Sequence, residues 1–153
     1  MADKTNRREL VEALRKAYFM ELETVLNYLA NSIQLDGVRA EEIKKALAAD
    51  IPIELEHARR LANRIKQLHG RVPGSLELDC NQKSLQPPKN TTNVIAVIQG
   101  VIDAEKEAIA HYNKVIRVAE GVDYVTQDLA IQLLGEEEAH LIEFEGFLKE
   151  YRK

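Results

Sequence analysis

The sequence predicts an all-α protein organised as a four-helix bundle. Four long segments of the 153-residue chain carry apolar residues at spacings of three and four, and turn-forming residues separate these segments. The first two segments also share a pattern of charged residues with the last two. A chain of this length fits one domain with one apolar core. We therefore expect residues 1–153 to form a single helical domain made of two similar hairpins.

The first two helices form the first predicted hairpin. The first helix is expected at about residues 6–35, because Thr5 can cap its start and the Asp36-Gly pair supplies a turn after it. The second is expected at about residues 39–69 and to stop at Gly70. Only a few residues join the two helices, so they should pack antiparallel.

The second predicted hairpin follows a long connection. Residues 70–91 hold three of the four prolines and show no sustained periodicity, so they are expected to be a link. The third helix is expected at about residues 92–120, starting near Thr92, and the fourth at about residues 123–151. A link of about 20 residues can extend about 65 Å, more than the ~45 Å length of such helices. The second and third helices can therefore run parallel, joined by one crossover.

Ionisable residues interrupt the apolar seam of every helix near its middle. One glutamate interrupts the first and third helices, and a Glu-x-x-His motif interrupts the second and fourth. These residues are Glu21, Glu54, His57, Glu105, Glu137 and His140. The seam glutamates of the first two helices are 33 residues apart, and those of the last two are 32 apart. Folded as hairpins, all six side chains should meet at one level inside the bundle.

Four buried glutamates need protons or cations around them. An unpaired buried carboxylate costs several kcal/mol, whereas a whole domain is stable by only about 5 to 15 kcal/mol. Two divalent metal ions would cancel four negative charges, and neutral imidazoles would complete the ligand set. Residues at i and i+3 share a helix face, so each Glu-x-x-His can offer two ligands to one metal. These oxygen-rich ligands suit iron or manganese better than structural zinc.

This arrangement resembles that of ferritin-like dimetal carboxylate proteins. The segments "ELEHARRLANRIKQLHGRVP" and "LLGEEEAHLIEFE" are most similar to the bacterioferritin and Dps-like branch, and the Glu-x6-Tyr pairs also look like those of rubrerythrins. The resemblance implies a ferroxidase that oxidises Fe(II) with dioxygen or hydrogen peroxide at a di-iron site within one subunit. It implies two iron ions per subunit, with manganese or zinc as possible substitutes. It also implies the six ligand roles: Glu21 and Glu105 terminal, Glu54 and Glu137 bridging, His57 and His140 on one metal each.

The sequence departs from this branch at several points. Leu55 follows Glu54 where bacterioferritins carry the methionine that binds haem, so no haem is expected. The chain ends 13 residues after His140, so the fifth helix of long ferritins is not expected, and a Dps-like dodecamer or a smaller homo-oligomer is favoured over a 24-subunit shell. Cys80 is the only cysteine, which excludes an internal disulfide and a Cys-x-x-Cys site such as the rubredoxin part of rubrerythrin.

Residues around the six are predicted to have less direct roles. Tyr28 and Tyr112, each seven residues after a seam glutamate, are either core residues or hydrogen-bond donors to the glutamates. Asp50 is either an outer ligand, a residue on an iron path, or a partner of a surface base. Arg64 is expected to extend its charge to solvent. The remaining residues are expected to lie at the surface or at helix ends, with Glu136 able to steady a ligand: Glu23, Glu56, Glu107, Glu136, Glu138, His69 and His111.

Composition limits the function further. With 45% hydrophobic and 30% charged residues and no run of about 18 apolar residues, the chain is expected to lack a membrane span. The N-terminus lacks a secretory signal pattern, so a cytoplasmic location is expected. The net charge of −4 argues against nucleic acid as a partner. Two alternatives to a ferroxidase that stores iron stay open: a non-storage di-iron enzyme such as a rubrerythrin-like peroxidase, and a metal-binding or DNA-protecting protein without turnover.

Overall fold

Four long helices form the protein. The computed structural model describes residues 2–152. The helices are α1 (Ala2–Gln34), α2 (Glu41–Gln67), α3 (Val94–Ala119) and α4 (Tyr124–Tyr151). Helices α1 and α2 pack as one antiparallel hairpin and α3 and α4 as another, and residues 2–152 include no strand. The predicted all-α four-helix bundle is therefore confirmed. None of these helices is both long and apolar enough to cross a membrane.

Three helix starts differ from the prediction, and that of α2 lies at residue 41 rather than about 39. Helix α1 begins at Ala2, so Thr5 lies inside the helix and the prediction that it caps the start was wrong. No proline or glycine near the start interrupts helix formation, so the helix extends past this residue. Helix α3 begins at Val94 rather than near residue 92, because the Asn93 side chain accepts a hydrogen bond from the Ala96 backbone N–H at 3.2 Å. Asparagine is a strong N-cap residue.

The end of α2 uses its glycine for close packing. The left-handed backbone conformation at this helix end occurs at exposed His69, with φ of 63°. A Cβ atom on Gly70 would lie 2.9 Å from Val11 Cγ1 and 3.0 Å from Ile65 Cγ2. The missing side chain therefore lets the chain leave α2 in direct contact with α1.

The crossover, residues 68–93, is fixed along α1 by a buried carboxylate. Glu23 accepts hydrogen bonds from the backbone N–H groups of Asn81 at 3.0 Å and Gln82 at 2.7 Å. Only 5% of Glu23 is exposed, so the prediction that it lies at the surface was wrong. The backbone donors of the crossover explain why the carboxylate can be buried there.

Further contacts hold the crossover against α1 and α3. Asn31 Nδ2 of α1 donates to the carbonyl of Leu85 at 2.8 Å. On α3, a Cβ atom at Gly100 would lie only 2.3 Å from the Ser84 carbonyl oxygen, so glycine is needed for this close approach. The crossover thereby leads from the end of α2 to the start of α3 and makes these two helices parallel.

Polar contacts at the two ends of the bundle join α4 to α2 and to the short turn that precedes α2. Arg64 Nη2 lies 2.7 Å from Asp123 Oδ2, and Arg64 Nε donates to Thr126 Oγ1 at 2.9 Å. Arg64 therefore pairs with the N-cap of α4, and the expectation that its charge extends to solvent was wrong. At the opposite end, Arg39 Nη2 donates to the Tyr151 carbonyl at 3.0 Å, and its guanidinium lies over the Tyr151 ring.

The core consists of two apolar clusters with a polar layer between them. One cluster lies toward the C-terminal ends of α1 and α4 and includes Leu35, Ile43, Leu47, Ile98, Val101 and Phe144. The other lies toward the N-terminal ends of the same helices and includes Leu10, Leu14, Leu61, Ile65, Val115 and Leu133. The apolar clusters keep the four helices in register, and the polar layer is held at mid-height.

Candidate metal centre

The six ionisable residues predicted on the seams come together in this polar layer. Each is at most 8% exposed: Glu21, Glu54, His57, Glu105, Glu137 and His140. One residue comes from each of α1 and α3 and two from each of α2 and α4, at mid-helix positions. Their convergence is a structural fact, whereas their roles as metal ligands remain a prediction.

The six residues form two overlapping sets of four potential ligands. In each set, one nitrogen or oxygen from every member lies within 4.8 Å of all the others. The His57 set consists of Glu21, Glu54, His57 and Glu137, and the His140 set consists of Glu54, Glu105, Glu137 and His140. Glu54 and Glu137 belong to both sets. Two carboxylates common to neighbouring sites can each offer one oxygen to either site.

Both imidazoles direct Nδ1 into the layer. His57 Nδ1 lies 2.8 Å from Glu137 Oε1 and 3.5 Å from Glu21 Oε2. His140 Nδ1 lies 2.9 Å from Glu54 Oε1 and 4.0 Å from Glu105 Oε1. Each histidine therefore lies closest to a glutamate of the other hairpin. The two rings are nearly parallel, with centroids 6.3 Å apart.

Many of these buried polar atoms lack hydrogen bonds. Within the described residues 2–152, seven nitrogen or oxygen atoms of the six side chains have no hydrogen-bond partner. They are Glu21 Oε2, Glu54 Oε1, His57 Nδ1 and Nε2, Glu105 Oε2, Glu137 Oε1 and His140 Nδ1. Buried polar atoms without partners are rare, and each costs about 1 to 3 kcal/mol. Since six of the seven are ligand-type atoms turned toward one another, this donor set fits a pair of cations.

Burial also makes it costly for all the carboxylates to ionise together. Burial, and then the neighbouring charges of Glu21 and Glu137 respectively, raise the pKa values of Glu54 and Glu105 well above their ordinary range. Burial and the charge of Glu21 raise the pKa of Glu137 to about 8. Burial opposes the ionisation of Glu21, yet its contacts with Glu54 and His57 lower its pKa. Without cations, burial therefore favours the protonated form of Glu54, Glu105 and Glu137.

Two tyrosines connect the carboxylates across the bundle. Tyr28 of α1 donates to Glu105 Oε1 of α3 at 2.8 Å, and Tyr112 of α3 donates to Glu21 Oε1 of α1 at 2.5 Å. Both tyrosines are at most 1% exposed, and burial raises the pKa of each hydroxyl well above its ordinary value. The open question about these tyrosines is therefore answered: they are core residues and also hydrogen-bond donors to the glutamates.

Two other residues singled out in the sequence lie outside the six. Asp50 is 6% exposed, its Oδ2 has no hydrogen-bond partner within residues 2–152, and burial raises its pKa. It belongs to neither set of four. His111 is also 6% exposed, and its Nε2 lies 2.8 Å from the Ala13 carbonyl, so its expected place at the surface was wrong. The hydrogen bond to this α1 carbonyl explains why the His111 side chain can be buried.

The family follows from comparison with known proteins. The family model described as Ferritin-like domain matches residues 11–153. The chain belongs to the ferritin-like family. The predicted resemblance is therefore confirmed, and it extends over nearly the whole chain.

Individual relatives of this ferritin-like protein belong to two branches. The DNA protection during starvation protein of Pyrococcus furiosus is 28% identical over 145 residues, which cover 92% of this chain and 77% of the relative. The X-ray structure of Desulfovibrio desulfuricans bacterioferritin, which describes a diiron site, has a TM-score of 0.80 at 25% identity and covers 98% of this chain and 84% of that chain. The structure of a dodecameric thioferritin, a bacterioferritin-related protein of Bacteroides fragilis, has a TM-score of 0.81 at 25% identity and covers 95% and 88% of the two chains.

Proposed function

We propose that this ferritin-like protein is a ferroxidase that oxidises Fe(II) at a dinuclear site within one subunit. The observation that carries this proposal is the pair of overlapping ligand sets whose buried donor atoms lack other partners. Glu54 and Glu137 would bridge two ions. Each ion then takes one further glutamate and one histidine, namely Glu21 with His57 and Glu105 with His140. Manganese or zinc would occupy the same donors as substitutes.

The protein side chains would bind and position the substrate ions. Four carboxylates balance the charge of two Fe(II) ions, and uptake of the ions would compete with protons, whose binding burial favours on Glu54, Glu105 and Glu137. Two Fe(II) ions would become Fe(III) by giving one electron each, and with two protons from solvent these electrons would reduce dioxygen to hydrogen peroxide or hydrogen peroxide to two water molecules. The tyrosine hydroxyls keep Glu21 and Glu105 oriented. The apolar clusters on both sides limit access of bulk water.

Assembly and location are part of the same proposal. The bacterioferritin-related protein of Bacteroides fragilis is described as dodecameric, which supports a homo-oligomer here as well. If the subunits close into a cage, the oxidised iron can be stored as mineral. Size-exclusion chromatography would distinguish such a cage from the dimer expected of a non-storage peroxidase. We also propose a cytoplasmic location.

Replacing metal ligands tests the activity directly. Glu54→Ala and His57→Ala should each abolish rapid Fe(II) oxidation, measured by stopped-flow absorbance after mixing the anaerobic Fe(II)-loaded protein with oxygen. Glu56→Ala is the matched control, because this glutamate lies between the two on α2 but is exposed. Circular dichroism should show that all three variants are folded. Oxidation at the parent rate by folded Glu54→Ala or His57→Ala would exclude the proposed site.

One relative motivates a second test. The Pyrococcus furiosus relative is named for DNA protection. If the present protein acted by covering DNA without turnover, it would retard plasmid DNA at physiological salt and leave Fe(II) unoxidised. The net charge of −4 favours the opposite result.

A further inference from the structure

The two histidines of the candidate centre have different surroundings on their outer side. His57 Nε2 points away from the ligand sets and lies 3.2 Å from Glu136 Oε2, whereas every ion pair of His140 within residues 2–152 runs through Nδ1. His57 Nε2 is also buried and has no hydrogen-bond partner with good geometry. The Glu136 carboxylate is thus placed to accept its proton in a hydrogen bond after a small rotation.

The sequence repeat explains this difference. Glu54 of α2 corresponds to Glu137 of α4, so the preceding residues, Ile53 and Glu136, also correspond. Glu136 of α4 lies beside the histidine of α2. By the same relation, the position beside the histidine of α4 is that of Ile53, which has no oxygen on its side chain. An acceptor therefore exists for one histidine and is missing from the equivalent position for the other.

A second layer of contacts supports Glu136. Arg60 Nη1 lies 3.3 Å from Glu136 Oε2, and Arg60 Nη2 donates to Gln132 Oε1 at 2.6 Å. Arg60 follows His57 by three residues, and the residue three after His140 is Glu143. An acceptor at this position, and the arginine that holds it in place, are therefore found on the His57 side. On the His140 side the buried carboxylate of Asp50 is near enough for its charge to interact with the imidazole, but within residues 2–152 no ion pair within 4.0 Å joins Asp50 to His140.

We propose that Glu136 is a positioning residue that makes the two metal positions unequal, with the ion in the His57 set bound more tightly than the ion in the His140 set. This inference rests on the proposed function. A carboxylate that accepts from Nε2 holds the ring in place and keeps the Nδ1 lone pair directed at the metal. Loss of such an outer partner typically weakens metal binding by about 10-fold to 100-fold.

The test removes this difference between the two histidines by placing at position 136 the residue found at the equivalent position of α2. Glu136→Ile introduces the residue found at position 53, and Glu138→Ile makes the same change at an exposed neighbour. Metal-free protein is titrated anaerobically with Fe(II) in a calorimeter. The wild type should show two binding events, of which His57→Ala removes the tighter and His140→Ala the weaker. Glu136→Ile should weaken the tighter event about tenfold or more and leave the other, whereas Glu138→Ile should change neither.

A conservative variant separates hydrogen bonding from general effects on the fold. Glu136→Gln keeps an acceptor oxygen, so its affinity for the tighter ion should lie between those of the wild type and Glu136→Ile. Two equal sites in the wild type, an equal effect of both isoleucine variants, or a glutamine variant as weak as the isoleucine variant would overturn the inference. Each of these results would leave binding of two ions, and with it the proposed function, intact. Failure of the wild type to bind Fe(II) would instead contradict the proposed function.

Discussion

Replacing Glu137 by glutamine should make the metal-free protein less sensitive to pH. Burial and the charge of Glu21 raise the pKa of Glu137 from 4.5 to about 8. The folded protein therefore keeps this proton at pH values where the unfolded chain has released it. The stabilisation from this group is complete below the unfolded pKa and is lost as the pH rises toward the folded pKa. Glutamine has nearly the same shape and cannot ionise, so it removes this contribution.

The size of the effect follows from the same pKa values. As the pH rises from about 5 to about 6.5, loss of the Glu137 contribution alone should lower the free energy of unfolding of the wild type by about 2 kcal/mol, since each pH unit corresponds to about 1.4 kcal/mol. The ordinary pKa of His57 is 6.5 and its pKa is raised in the folded protein, so the unfolded chain begins to lose this proton at the upper end of the window. The wild type and the variant share this loss, so the difference between them reports on Glu137. Glu54 and Glu105 also have raised pKa values, so the variant keeps part of the decline.

Guanidinium denaturation of chelator-treated protein at the two pH values provides the measurement. The loss of unfolding free energy between them should be about 2 kcal/mol smaller in Glu137→Gln than in the wild type. Glu138→Gln, at an exposed position on the same helix, should match the wild type. If Glu137→Gln and the wild type lose the same free energy, Glu137 ionises at similar pH in both states, and the argument from burial is refuted.

Three further changes test the contacts around the centre. Tyr112→Phe removes the 2.5 Å hydrogen bond to Glu21. The variant should lose about 1 to 3 kcal/mol of unfolding free energy in denaturation and should oxidise Fe(II) about tenfold more slowly in stopped flow. If neither value changes, the hydrogen bond is dispensable. Gly100→Ala places a Cβ atom against a backbone oxygen and should lower the free energy of unfolding by about 1 to 3 kcal/mol in denaturation. The control is Gly146→Ala, where the new Cβ atom meets nothing within 4 Å and should raise the free energy of unfolding by up to about 1 kcal/mol through better helix propensity. Equal effects of the two variants would contradict the close approach at Gly100. Glu23→Ala leaves two backbone N–H groups without their acceptor; hydrogen exchange should accelerate in the crossover and stay unchanged in α2, and uniform protection would contradict this anchoring.

The fold could be predicted from local patterns because each helix carries its own seam. Apolar spacing of three and four, with glycine or proline near the ends, indicates the number, order and approximate length of the helices. The residues of the candidate site could be proposed for a related reason, since Glu-x-x-His places two side chains on one helix face. A carboxylate inside an apolar seam already indicates that some partner must compensate its charge.

Features that depend on distant contacts could not be predicted in this way. Glu23 looks like a surface residue on the helix, and only the crossover, almost 60 residues later, supplies the donors that allow its burial. Arg64 likewise finds its partner at the N-cap of α4. Gly70 indicated only that the second helix stops, whereas its missing side chain allows close contact with Val11, and His69 adopts a positive φ. In each case, residues far apart in sequence decide the role of the local one.

The division of the ligand sets between hairpins has a mechanical consequence. Each set takes three members from one hairpin and a single shared glutamate from the other, Glu137 for the His57 set and Glu54 for the His140 set. An ion in either set would therefore act as a cross-link between halves of the chain that are otherwise joined by the crossover, hydrogen bonds and side-chain packing. Filling both positions would tie the halves together twice at mid-height, so that sliding of one hairpin past the other would require release of the ions.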